Sequence, residues 1–135
     1  MKYKQLYFEF DKLEKLLTLK YKCDINLSEF NNLHSLIKDN DVDVFYHLAW
    51  VGSAGPLRGD YEIQLNNVKY TCETVKASKD IGCKRFVFAS SIMEYEIQAV
   101  MESEMVPSIN TLYSTAKVSA DYMARTLANQ LGIEY

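Results

Sequence analysis

The run Asp43-Val44-Phe45-Tyr46-His47-Leu48-Ala49-Trp50 is almost continuously apolar. Such a run suits a strand covered on both faces, the situation of an inner strand in a parallel sheet. Parallel neighbours cannot be joined by a tight turn; they need a crossover, usually a helix. The chain supplies one. A loop containing Gly52, Gly55, Pro56 and Gly59 leads to Asp60, which starts a long helix with Tyr61, Leu65, Val68, Cys72 and Val75 on one face. Gly82 stands where a C-terminal cap belongs. Residues 84–90 form the next strand, which ends on hydroxyls at Ser90 and Ser91.

On either side the alternation continues. Residues 6–10 read as a short strand or an ordered lead-in, and Asp11 caps a short helix through Leu17. Leu19, Tyr21 and Cys23 then alternate with Lys20 and Lys22 as a half-exposed strand. Ser28 caps a helix whose apolar residues Phe30, Leu33 and Ile37 recur at helical spacing. Residues 91–107 read as a loop. Asn110 or Thr111 caps a last helix with Ala116, Ala120, Met123, Ala124, Leu127 and Leu131 as its buried stripe. Gly132 ends it, and Ile133-Glu134-Tyr135 look like the start of another strand. Strand and helix in alternation predict an α/β fold, a doubly wound parallel sheet in a three-layer αβα arrangement, incomplete at both ends.

Composition narrows the class. A chain of 135 residues, 48% of them hydrophobic, holds one core, hence one domain or part of one over 1–135. The net charge of −3, with mixed signs along the chain, argues against a nucleic-acid surface. No apolar run reaches membrane-spanning length, and Glu9 and Asp11 interrupt any signal-peptide core, so a cytoplasmic location is expected. Cys23, Cys72 and Cys83 are odd in number and irregularly spaced, as suits reduced thiols rather than a disulfide framework or a zinc site. His34 and His47 lack the clustered spacing of metal ligands; His47 reads as a core histidine and His34 as a helix-surface residue.

One constellation carries chemistry. Tyr113 and Lys117 stand four apart at the opening of the last helix, and residues four apart lie one turn apart on one face. No other tyrosine here has a lysine four residues on. An ammonium beside a phenol favours phenolate and equips the tyrosine for proton transfer. A hydroxyl at the carboxyl end of a parallel strand points into the crevice where open α/β sheets bind ligands. Hydroxyl, phenol and ammonium together suit reversible hydride transfer at a carbinol carbon. The bland reading of the pair is an amphipathic helix with a solvated lysine.

From about Cys23 to Tyr135 the chain resembles the extended short-chain dehydrogenase/reductases, the NAD-dependent epimerase/dehydratase group acting largely on nucleotide-sugars. Asp24-Ile25 looks like the Asp-Ile that follows the third strand and meets the adenine end of the cofactor. His47-Leu48-Ala49 resembles the His-Leu-Ala that ends the fourth strand beside the cofactor. Asn66-Asn67-Val68 is similar to the Asn-Val motif near the nicotinamide, and Phe88-Ala89-Ser90-Ser91 with Tyr95 to the Ser-Ser-x-x-x-Tyr stretch. Ser91 falls at the catalytic Ser/Thr position, and Tyr113 and Lys117 match the catalytic pair.

The resemblance implies a partial Rossmann-type NAD(P)-binding domain. It implies Ser91, Tyr113 and Lys117 as catalytic residues, and Asp24, Ile25, Leu48, Ala49, Trp50, Asn66, Ala89, Ser90, Tyr113 and Lys117 against NAD or NADP. Tyr113, helped by Lys117, would exchange the proton of a sugar hydroxyl while hydride moves to or from the nicotinamide; Ser91 would steady the reacting oxygen. A homodimer through helices 60–81 and 111–131 is implied too. There are departures. The glycine turn that seats the pyrophosphate should precede Asp24, yet no glycine precedes Gly52, so weak or undetectable NAD binding by this chain alone is expected. Gly52-x-x-Gly55-x-x-x-Gly59 follows the wrong strand at the wrong spacing and reads as a flexible loop lining the cleft. Trp50, Glu96 and Ser114 replace small residues of the family pattern. Ile92 and Met93 occupy the places of a dehydratase's Asp-Glu pair, which disfavours 4,6-dehydration; Glu94 and Glu96 read as solvated loop acids.

The function expected is therefore the catalytic segment of a nucleotide-sugar epimerase or reductase. Its rival is a catalytically silent fragment or interaction module of the same fold. An unrelated doubly wound domain, such as a phosphorylatable receiver, ranks far behind because no acidic cluster stands at the strand ends.

Overall fold

The computed structural model describes residues 26–38, 40–102 and 106–135. The elements expected before residue 26 lie outside them, as do Cys23, Asp24 and Ile25.

Two strands, β1 (Val44–His47) and β2 (Arg85–Phe88), pair in parallel with Phe45 opposite Phe86 and His47 opposite Phe88. The rings of those partners lie stacked on one face, at 5.6 and 5.9 Å between centroids. Phe45 and Phe86 are fully buried, each contributing about 2–3 kcal/mol of apolar transfer. Glu134 bridges in parallel to Arg85, and Phe86 donates its N–H to the Glu134 carbonyl at 2.7 Å. The chain end thus begins a third strand, and Tyr135 stacks on Phe86. The described residues form an α/β unit around this small parallel sheet, and a three-layer arrangement is not seen among them.

The crossover is α2 (Tyr61–Asp80), capped by Asp60, whose carboxylate accepts from the N–H groups of Glu62 and Ile63. Gly82 follows its C-cap, Ile81, at φ +69°; an added Cβ there would run into the Asn40 carbonyl, which leaves the position to glycine. The apolar face expected for α2 is only partly the buried one. Tyr61 and Leu65 are exposed, whereas Gln64, Asn67, Thr71, Thr74 and Ser78 are buried with Val68 and Val75. A polar stripe can be buried here because its hydroxyls are satisfied close by. Thr71, Thr74 and Ser78 donate to the carbonyls of Asn67, Tyr70 and Val75.

Helix α4 (Ile109–Leu131) lies against α2 and presents Ala116, Ala120, Ala124 and Ala128 inward, small side chains that allow close approach. Met123, expected in that stripe, is exposed. The cap is Ser108 rather than Asn110 or Thr111, although Thr111 completes a reciprocal capping box, and Gly132 ends the helix in the left-handed conformation as expected. Two further expectations change. Before β1, Asn26 starts a 3-10 turn (Leu27–Asn32) with Ser28 inside it, followed by the single turn α1 (Leu33–Leu36). Residues 91–107 are not one loop: a 3-10 turn (Ile92–Glu94) runs into α3 (Tyr95–Glu102).

Candidate active site

Both strands end on the same side, where the Ala89 N–H donates to the His47 carbonyl at 3.1 Å. From that edge issue Leu48-Ala49-Trp50 and Ala89-Ser90-Ser91. Lys117 reaches the edge from α4 and donates from Nζ to the Ala89 carbonyl at 2.8 Å. Its ammonium lies 4.0 Å from the centroid of a Trp50 ring and 4.7 Å from that of Phe88. The lysine is 4% exposed. Burial pulls its ammonium down to about 8, with the Glu94 carboxylate working in the opposite direction.

Tyr113 is 5% exposed and meets Trp50 edge-on, with centroids 6.1 Å apart. On its ring sits the Arg58 guanidinium, 4.7 Å from the centroid. Arg58, Tyr113, Trp50 and Lys117 thus form a continuous chain of contacts, with a cation at each end. The Tyr113 hydroxyl makes no hydrogen bond among the described residues, yet no buried polar side-chain atom there lacks a partner. The hydroxyl therefore lies where water or a ligand reaches it.

The seryl turn is held by an acid. Glu94 Oε1 accepts from Ser90 Oγ at 2.7 Å and from the Ser91 N–H at 3.2 Å. Ser91 Oγ accepts from the Met93 N–H at 3.2 Å, which leaves its own proton free to donate. Glu96 is committed as well, accepting from Ser108 Oγ and Thr111 Oγ1 at 3.1 and 3.0 Å, so it ties α3 to the start of α4. Neither carboxylate is the free loop acid expected from the sequence.

The loop after β1 is pinned from α2. Gln64 accepts from Trp50 Nε1 at 3.0 Å and donates to the carbonyls of Leu57 and Gly52 at 2.9 and 3.3 Å. Asn67 bonds both the N–H and the carbonyl of Val51, at 3.0 and 2.8 Å. Asn66, the residue singled out for the cofactor, is exposed, and the hydrogen bonds at this motif belong to Asn67. Leu48 is 45% exposed at the strand edge and Ser90 is exposed beside it.

His47 is a core histidine, as read from the sequence, but its bond is to a side chain: Nε2 lies 3.2 Å from Thr71 Oγ1. Thr71 gives its one proton to the Asn67 carbonyl, so the Nε2–H tautomer is the one that completes the pair. Burial first, and the Lys117 charge second, hold the imidazole down at about 4. Among the described residues no group of His, Cys, Asp or Glu is arranged to hold a metal ion. Cys72 and Cys83 are free thiols there, both pushed up chiefly by burial.

Arg58 and Gln64 escaped the sequence reading, Asn67 entered it only within the Asn66-Asn67-Val68 motif, and Glu94 only as a solvated loop acid. The spacing of Gln64, Asn67, Thr71, Thr74 and Ser78, three and four residues in turn, is a helical stripe in its own right. Read as inward-facing, it would have exposed two of the four. Nothing local marks Arg58.

The carboxyl edge of parallel strands is where open α/β sheets bind ligands, and here it carries exposed apolar and hydroxyl groups with a buried ammonium behind them. The chain belongs to the NAD dependent epimerase/dehydratase family, whose family model matches residues 7–135. Comparison with curated proteins and with solved structures found no match.

Proposed function

We propose that this chain carries the catalytic centre of an NAD(P)-dependent nucleotide-sugar epimerase or reductase, built on a wider doubly wound Rossmann-type sheet. The observation that carries the reading is that Tyr113 and Lys117 both meet Trp50, with the Lys117 ammonium held at the strand edge by the Ala89 carbonyl. The residues present fit a dinucleotide in kind. Leu48, Ala49 and Trp50 offer apolar surface to a flat ring, and Ser90, exposed beside them, offers its hydroxyl oxygen to a ribose; Ala89 and Lys117, bonded to each other, lie directly behind. Asp24 and Ile25 would serve the adenine end, with Asn66 on the nicotinamide side. When bound, the nicotinamide supplies or takes the hydride.

The chain's own residues do the rest. Tyr113 gives or takes the proton of the carbinol oxygen. Lys117 supplies positive charge one helical turn along from Tyr113, and Ser91, whose hydroxyl proton is uncommitted, donates to the same oxygen as charge grows there. Glu94 holds the Ser90-Ser91 turn in place. Pairing of two copies through α2 and α4 belongs to the same proposal. Tyr61, Leu65, Tyr122 and Met123 leave apolar surface exposed on those helices, and a monomeric mass in solution would remove it.

One measurement tests the reading. The protein is incubated with NADH or NADPH deuterated at the nicotinamide C4 and a panel of keto- and hydroxy-nucleotide-sugars. The cofactor is supplied at high concentration, because weak binding by this chain alone is expected. Deuterium appearing at a sugar carbon is the expected result, and no transfer with any of them is what the silent fragment would show. The close packing of Trp50 on Lys117 favours that rival, since it covers the ammonium a ribose would need.

A further inference from the structure

The chain has three arginines. Arg85 pairs with Glu134 and Arg125 with Asp121. Arg58 has no carboxylate partner among the described residues, although it is half-buried. Two acids of adjoining elements are engaged elsewhere: Asp60 caps α2, and Glu96 accepts from Ser108 and Thr111.

Arg58 is nonetheless held in place. It stands on the 3-10 turn Gly55–Gly59 before α2 and is fixed from three sides. Nε donates to the Ser53 carbonyl at 2.8 Å, Nη1 donates to Asn110 Oδ1 at 3.0 Å, and the guanidinium lies on the Tyr113 ring. Two N–H groups are used; the Nη2 side of the planar fork is not. A guanidinium with no carboxylate partner among the described residues, pre-oriented and half-buried, is suited to receive an oxyanion on its remaining Nη hydrogens. Its place on the Tyr113 ring puts that oxyanion close to whatever oxygen the phenol meets.

We propose that Arg58 is an anion anchor: its free guanidinium edge binds a phosphate or carboxylate oxygen of the substrate while Tyr113 attends the neighbouring carbinol. Only the identity of that carbinol rests on the hydride-transfer reading; the anchor stands on the contacts of Arg58 itself. It selects acidic sugar derivatives over neutral sugars, whether the charge comes from a diphosphate or from a sugar carboxylate.

The test uses pyrophosphate and, separately, glucuronate, titrated into the purified protein at constant ionic strength. Emission of Trp50, the chain's single tryptophan and a neighbour of Tyr113, is the readout. Saturable binding is expected, weakened about tenfold or more in Arg58→Gln and less severely in Arg58→Lys, which keeps the charge but loses the fork. Saturation by pyrophosphate alone assigns the anion to the diphosphate; saturation by glucuronate alone assigns it to a sugar carboxylate. If Arg58→Gln fails to fold, Arg58→Lys carries the comparison. No saturation by either anion overturns the proposal, as does equal affinity in wild type and variant, which would leave Arg58 a clip between Ser53, Asn110 and the tyrosine ring. The titration contains no nicotinamide, so its failure and a failure of deuterium transfer are separate results.

Discussion

Tyr113→Phe is expected to lower turnover by about 10²–10⁴-fold, the range for loss of a positioned acid/base group, without loosening the fold. The two halves of that expectation come from different features. The hydroxyl makes no hydrogen bond among the described residues, so removing it orphans no protein partner. The ring is what holds Arg58 and meets Trp50, and phenylalanine keeps the ring. Steady-state rates with the substrate found by deuterium transfer, beside a urea denaturation curve, check both. A variant that turned over as fast as wild type would remove Tyr113 from the chemistry. A variant that was inactive but strongly destabilised would show a structural role instead.

Lys117→Met is expected to stabilise the protein at pH 7 while abolishing hydride transfer. The fall of the ammonium from 10.5 to about 8 corresponds to about 3 kcal/mol of unfavourable burial of charge. Methionine retains the contacts with Trp50 and Phe88, but the Ala89 carbonyl loses its donor, which costs about 1 kcal/mol. A net gain of roughly 2 kcal/mol remains. Its pH dependence has a definite sign. Below about 8 the lysine is charged both folded and unfolded, and the wild type carries the full penalty. Between about 8 and 10.5 the folded lysine loses its proton before the unfolded one, so wild-type stability from this group rises with pH. The advantage of the variant shrinks through that window and is gone above it. Unfolding free energies of the two proteins at pH 7 and pH 10 measure this directly, and a variant less stable than wild type at pH 7 would contradict it.

The parts legible from the sequence were those written in short-range pattern. The run at Val44–His47, the crossover helix from Asp60, the stop at Gly132 and the start of a third strand at Glu134 all follow from periodicity and capping chemistry within a few residues. The four-residue spacing of Tyr113 and Lys117 puts both groups one turn apart on whatever helix carries them. The stretch after Ser91 was misread as a loop although Met93, Ile97 and Val100 recur at helical spacing across the 3-10 turn and α3, a short helix that buries none of its residues. The α2 face was misread because hydrophobicity is a poor guide where hydroxyls bond their own helix and an alanine-rich neighbour admits them.

Sequence alone determined the succession β1, α2, β2 and α4, and with it the strand edge at which a phenol, an ammonium and a seryl hydroxyl stand as candidates. Only the tertiary structure decided what those groups touch. Lys117 meets a carbonyl 28 residues away, and Arg58 is joined to Asn110 across 52. Contacts of that range depend on how α2 and α4 pack over the sheet, and packing is a property of all the surfaces at once rather than of any local run of residues.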